Sequence, residues 1–221
     1  MLPGDPGRAR WIAEQYFTHP RLYSDHRGLL GYTGRFRGVE ISVQTSGMGG
    51  PSAAIVTEEL IQLGAKQLLR VGTCGALQPS VGPADLVIAQ AAVPLDGTSR
   101  QYLGGDPYAP AASYPLLERS VRAARAKGWP YQVGLIATED AFYAENPQRR
   151  AALRQRGVLA VEMEAAALLT IAALRGVQAG CLLTCSNPVG EAFIAPEALQ
   201  QGVAAMVEVA LEALSSPAGE A

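Results

Sequence analysis

Two glutamates bracket one methionine, Glu162-Met163-Glu164, between an apolar run at 158–161 and an alanine-rich stretch that opens at Ala165. A buried strand that passes into a helix leaves its last residues where α/β proteins hold ligands. Carboxylates placed there need partners. No basic residue stands beside them in sequence, which leaves water, ligand hydroxyls or ring nitrogens. Arg70 interrupts a second apolar strand, at 67–71, and is followed by Gly72-Thr73-Cys74-Gly75. Arginine inside such a strand is costly unless paired. The hydroxyl of Thr73 and the two glycines suit an oxyanion as its partner; an ion pair with Asp or Glu is the alternative. Near the start, Gly4-Asp5-Pro6-Gly7-Arg8 forms a tight loop ahead of a helix at 9–17. Gly4 and Gly7 let backbone amides approach an anion, and Arg8 adds a full positive charge to the helix N-terminus. An ordinary surface turn is the competing reading. Such a loop normally follows a strand, so a first strand is expected to be missing before residue 1.

Other groups could contribute. Arg27, in the polar turn at 25–28, reads on its own as a solvated charge. Ser46-Gly47-Met48-Gly49-Gly50 joins a strand at 39–45 to a helix opened by Pro51. The backbone there approaches something closely, but the loop is not GxGxxG and no acidic residue follows at the ribose interval, so a dinucleotide is discounted. Phe142 offers a flat apolar face for stacking. Ser186-Asn187 follows the last strand, and Asn187 can donate to and accept from a heterocycle edge.

The elements that must position these groups alternate. Strands are expected at 39–45, 67–71, 85–93, 132–137, 158–161 and 178–185, with helices at 51–63, 114–127, 146–156, 165–175 and 196–214. Residues 31–35 pair with 39–45 as a hairpin, and 94–112 form a long surface excursion or lid. This is an α/β chain: a single domain over 1–221 with a mixed, largely parallel central sheet flanked by helices.

Bulk composition narrows the function. The chain has 221 residues, 48% of them apolar, and a net charge of −2. That balance gives no basic surface for nucleic acid. There is no apolar run long enough to span a membrane and no signal peptide. The three cysteines, Cys74, Cys181 and Cys185, read as free thiols. The two histidines fall in no metal-ligand spacing, so no metal is expected. The expected location is the cytoplasm.

Phosphate, sugar hydroxyls and a flat base are the parts of a nucleoside plus phosphate. Gly4-Asp5-Pro6-Gly7-Arg8, Ser46-Gly47-Met48-Gly49, Arg70-Val71-Gly72-Thr73-Cys74-Gly75 and Val161-Glu162-Met163-Glu164-Ala165 resemble the bacterial hexameric nucleoside phosphorylases, most closely the purine-cleaving branch. The matching motifs run from residue 1 to about 190, in the family's order. The resemblance implies reversible phosphorolysis of a ribonucleoside or 2′-deoxyribonucleoside, with inorganic phosphate as co-substrate and no cofactor. It also implies a nucleoside phosphorylase-like fold and a homo-oligomer, a hexamer built as a trimer of dimers. By resemblance Gly4, Arg8, Arg70 and Thr73 hold phosphate, and Arg27 reaches into the neighbouring subunit's site. Met48, Met163 and Glu164 contact the ribose. Cys74, Gly75, Phe142, Val161 and Glu162 form the base pocket with Ser186 and Asn187. Catalysis then falls to Arg70 at the phosphate, Glu164 at the sugar and Asn187 at the leaving base.

One departure stands out. Members of the family that accept adenosine broadly have aspartate where this chain has Asn187. A carboxylic acid can protonate N7 and an amide cannot, so inosine and guanosine are expected to be preferred. The family's later arginine also has no match, since residues 190–205 contain none. Uridine phosphorylase is the nearest rival, with Gln148 and Arg150 as a displaced uracil-reading pair. A nucleosidase that uses water has no need of Arg8, Arg27 and Arg70. A non-catalytic nucleoside binder is the remaining reading.

Overall fold

The computed structural model describes residues 1–144 and 146–216. Helix α1 (Pro6–Tyr16) is followed by β1 (Thr18–Ser24), β2 (Gly31–Phe36), β3 (Val39–Gln44), α2 (Gly50–Gln62), β4 (Gln67–Ala76), β5 (Leu86–Pro94) and α3 (Gly97–Tyr102). Then come α4 (Tyr114–Lys127), β6 (Tyr131–Thr138), α5 (Pro147–Gln155), β7 (Ala160–Glu162), α6 (Ala165–Leu174), β8 (Gln178–Pro188) and α7 (Pro196–Ser215).

The central sheet closes into a barrel in the order β4-β7-β6-β5-β8. Neighbours β4/β8, β5/β6 and β6/β7 are parallel, while β4/β7 and β5/β8 are antiparallel. The period-two alternation of a strand splits the core into two layers. Leu69 and Val71 of β4 pack with α1 and α7 residues such as Ile12 and Met206. Leu68, Cys74 and Ala76 pack on the other side with Val56 of α2 and Leu168 of α6. The even-numbered positions of β4, Arg70 among them, thus belong to the layer shared with α6.

Three features add to the expected architecture. The hairpin is present, and a third strand joins it on the β2 side in the order β1-β2-β3. Strand β1 is polar, contains Pro20 and is exposed along nearly all its length, so no apolar alternation marks it. The excursion at 94–112 is tied down. Asp96 and Ser99 are buried, Asp96 caps α3 by accepting from Ser99 N at 2.6 Å, and Ala112 N donates to Gln90 O at 2.9 Å. Finally, residues 1–3 run between β3 and β4. Met1 O accepts from Gln44 N and Pro3 O from Ser46 N, while Leu2 N donates to Leu69 O and Leu2 O accepts from Val71 N. Residues 1–3 therefore bridge β3 and β4, with an isolated β-bridge between Leu2 and Arg70, and join the two sheets. Among the described residues no helix is long and apolar enough to cross a membrane.

Candidate active site

The site forms where β4, β6 and β7 end. Arg70 is only 5% exposed, yet both glutamates reach it. Its Nε donates to Glu162 Oε2 at 2.9 Å, and Nη2 meets Glu164 Oε2 at 2.5 Å. Burial opposes the guanidinium charge, but Glu164 and Glu162 more than offset it and hold the Arg70 pKa above its ordinary value. The third nitrogen, Nη1, is buried without a hydrogen-bond partner among the described residues. A buried guanidinium with one orphaned donor is built for a further acceptor. Gly72 makes room for it: a Cβ there would lie 2.6 Å from Arg70 Nη2.

Glu162 and Glu164 converge on Arg70 from different backbone settings because the strand stops between them. β7 ends at Glu162, and Glu164 is already the N-cap of α6, with φ −137° and ψ −23°. The Glu162 carboxylate points inward. It accepts from Thr138 Oγ1 at 2.5 Å, from Glu164 N at 2.9 Å and from Ala165 N at 3.0 Å, besides Arg70. Thr138 Oγ1 in turn accepts from Ala166 N at 2.9 Å. Burial pushes the Glu162 carboxyl up, Arg70 pulls it back, and the Glu164 charge adds to the rise. These bonds make the Glu162 side chain an anchor for Arg70 and for the start of α6. Thr138, which the sequence did not single out, is part of the same anchor.

Glu164 Oε1 accepts from Gly49 N at 2.6 Å, so one carboxylate ties Arg70 to the glycine loop between β3 and α2. That loop presents Met48, 84% exposed, and Met163 is half-buried between the two glutamates, just before α6. On the other flank Arg8 is half-buried and donates from Nη1 to Val71 O at 3.4 Å. Burial lowers its pKa; Asp5 counters this and the Arg70 charge adds to it. Arg8 therefore lies close enough to Arg70 for the two charges to interact. Asp5 is the N-cap of α1, and its carboxylate accepts from Gly7 N at 2.6 Å and Arg8 N at 3.4 Å. Gly4 has a packing reason: a Cβ would stand 3.1 Å from Gly47 O. Thr73 is half-buried on β4, three residues beyond Arg70. Arg27 is exposed, adopts φ 54° and ψ 22°, and makes no ion pair with a described residue.

The base end comes from β4, β7 and the turn after β8. A Cβ on Gly75 would lie 2.8 Å from Val189 Cγ2 and 3.6 Å from Val161 Cγ2, so these residues share one wall. Cys74 is buried and its thiol is pushed well up by burial, then by Cys185. Phe142 is 59% exposed and meets Tyr143 edge to face at 5.0 Å. Asn187 is spoken for. Its Nδ2 donates to Pro188 O at 3.0 Å and Glu191 O at 3.1 Å, and Oδ1 faces Ser186 Oγ at 2.8 Å. A direct hydrogen bond from Asn187 to a base therefore requires the 187–191 turn to open.

Comparison with known proteins agrees with this geometry. The family model described as "Phosphorylase superfamily" matches residues 1–215. A protein of Jannaschia sp. (strain CCS1) named "Purine nucleoside phosphorylase DeoD-type" is 42% identical over 218 residues, covering 98% of this chain and 93% of its own. Proteins with the same name from Bacillus cytotoxicus and Roseobacter denitrificans are 44% and 43% identical over 216 residues each, covering 96% of this chain and 92% of theirs. A match over nearly the whole length, with the paired carboxylates and Arg70 gathered at one set of strand ends, places the chain in the phosphorylase superfamily.

Proposed function

We propose that the protein catalyses reversible phosphorolysis of purine ribonucleosides and 2′-deoxyribonucleosides, giving free base and pentose 1-phosphate, with inorganic phosphate as co-substrate and no cofactor. The observation that carries this reading is Arg70, fixed by two carboxylates, with its remaining nitrogen unpartnered and Arg8 close by. Phosphate seated on Arg70, Arg8, Thr73 and Gly4 lies beside Glu164, whose carboxylate reaches from Arg70 toward the Met48 loop. As the glycosidic bond lengthens, positive charge grows on the sugar. The phosphate dianion stabilises that charge and then attacks C1′, so its fixed position supplies both electrostatics and proximity. Glu164 holds the ribose hydroxyls, with Met48 and Met163 against the sugar and Phe142 against the base.

Base preference follows from Asn187. No carboxylic acid stands there to protonate N7 of adenine, whereas a 6-oxopurine leaves as an anion that neutral donors and cations can hold. Inosine and guanosine are expected to exceed adenosine in kcat/KM by on the order of tenfold or more. Steady-state rates on inosine, guanosine, adenosine and uridine check this. Adenosine as the best substrate overturns the preference, and uridine as the best overturns the purine reading.

The site is completed by a neighbouring subunit in this proposal, within a hexamer arranged as a trimer of dimers. Arg27 supports it, held outward in a left-handed conformation at the surface. Arg27→Ala should raise the KM for phosphate on the order of tenfold, as loss of one charge-assisted contact does. Phosphate titration with light scattering on the same sample checks it; a monomer with unchanged KM contradicts it.

A further inference from the structure

The turn that carries Arg27 is tied down from outside. Within it, Gly28 N donates to Asp25 O at 2.9 Å, Leu29 N to His26 O at 3.0 Å and Leu30 N to Gly28 O at 3.1 Å. Arg27 adopts φ 54° and ψ 22° there. A residue with a Cβ stays in that left-handed region only where its surroundings over-determine it. Two buried residues at the end of β3 do so by holding the carbonyls that leave the turn. Gln44 Nε2 donates to Leu29 O at 3.0 Å. Thr45 donates to Leu30 O, from N at 3.0 Å and from Oγ1 at 2.9 Å.

Gln44 joins that turn to the site. It is 7% exposed, and its amide group also donates to Thr45 O at 3.1 Å. One carbonyl on the amide thus belongs to the exit of the Arg27 turn and the other to the entry of the glycine loop. From Thr45 the chain passes to Ser46, whose N and Oγ donate to Pro3 O at 2.8 Å and 3.3 Å. Ser46 O accepts from Ser52 Oγ at 2.7 Å, and three residues on Gly49 N reaches Glu164. The fold makes room for this side chain. A Cβ on Gly31, the β2 partner of Gln44, would collide with Gln44 Oε1 and stand 2.6 Å from Tyr23 Cζ. A glutamate could make neither bond, because an ionised carboxylate has no hydrogen to donate.

We infer that Gln44 is a positioning residue for phosphate binding: it fixes the left-handed turn of Arg27 against the glycine loop and so sets where Arg27 enters the neighbouring subunit's site. This rests on the proposed entry of Arg27 into that site. Gln44 touches neither substrate. It acts through the Leu29 carbonyl, two residues beyond Arg27. Without the amide donor the turn is free to relax to right-handed backbone, which re-aims the guanidinium. The same amide holds Thr45 O, so the Arg27 turn is fastened to the sugar loop of its own subunit while its charge serves the site next door.

The test is a double-mutant cycle read on the KM for phosphate, with inosine as the second substrate. Gln44→Met keeps the side-chain volume and removes both donors. Gln44→Glu keeps the shape and sets oxygens against the two carbonyls. Each should raise the KM for phosphate about fivefold, less than the loss of Arg27 itself, with kcat at saturating phosphate within about twofold of wild type. On an Arg27→Ala background Gln44→Met should add less than about twofold, because the contact it positions is already gone. Thermal midpoints are measured on every variant. An unchanged phosphate KM in Gln44→Met overturns the inference, even where kcat and the midpoint fall, since that pattern is a structural role. The same rise in both backgrounds also overturns it, because Gln44 would then act independently of Arg27. Arg27→Ala with an unchanged phosphate KM would instead defeat the neighbouring-site reading on which the inference rests.

Discussion

Glu162→Ala should lower the thermal midpoint by about 10 °C, although Glu162 lies in the motif that resembles a nucleoside contact. The substitution strips Arg70 of one of two counter-charges inside the fold and leaves the amides of Glu164 and Ala165 and the hydroxyl of Thr138 without their acceptor. Breaking a buried ion pair from one side costs roughly 3–5 kcal/mol, and each kcal/mol moves the midpoint of a chain this size by about 2–4 °C. Glu162→Gln should fall between wild type and alanine. The glutamine retains one carbonyl acceptor, but its amide group sets a donor against the donors of Arg70 or Glu164 N. Calorimetry or circular dichroism reads the midpoint. A shift below about 2 °C for the alanine variant would show that the carboxylate is not the anchor described. The ratio of inosine to guanosine turnover should stay near wild type in any residual activity; a change in that ratio would place Glu162 at the base edge.

Glu164→Ala carries the largest catalytic effect, a fall in kcat/KM for ribonucleosides on the order of a thousandfold. This single carboxylate holds Arg70 through Oε2 and the Gly49 amide through Oε1, so it sets the distance between the Arg70 guanidinium and the loop that carries Met48. With phosphate on Arg70 and the ribose on Glu164, as proposed above, removing it loosens both substrates together. Misplacing reacting groups by about 1 Å can cost on the order of 100-fold by itself. Glu164→Gln should rescue little, because its amide hydrogens would face either Arg70 or Gly49 N, both donors. Initial rates with inosine at saturating phosphate, on protein whose thermal midpoint has been measured, check the prediction. A rate within threefold of wild type would remove Glu164 from the mechanism.

Much of this site is legible in the sequence where one residue's chemistry is anomalous for its place. Arg70 inside an apolar strand announced a partner, but the sequence favoured an oxyanion for it and water or ligand groups for the two glutamates; the structure pairs all three with one another and leaves one Arg70 nitrogen without a partner among the described residues. Glycine-rich Ser46–Gly50 announced a close backbone approach, which is the Gly49 amide on Glu164. The alternation of strands and helices announced the mixed sheet. What the sequence hides depends on chain direction or on three-dimensional pairing. β7 ends at Glu162, so the two glutamates leave different backbone settings and take different further partners, Thr138 and the Gly49 amide, while both meet Arg70. Closure of the barrel rests on antiparallel contacts of only two and three residue pairs, too short to leave a periodic signal. Thr138 lies 24 residues from the carboxylate it supports. Asn187 has the composition of a base contact, and only the positions of the Pro188 and Glu191 carbonyls show where its amide goes.

The central claim is that Arg70 and Arg8 exist to hold phosphate as the nucleophile. Its most direct test is release of hypoxanthine from inosine with and without inorganic phosphate, with the sugar product followed by phosphorus NMR. The account predicts base release only when phosphate is present, with one equivalent of ribose 1-phosphate formed for each base. Base release at the same rate without phosphate, with free ribose as the product, would contradict it.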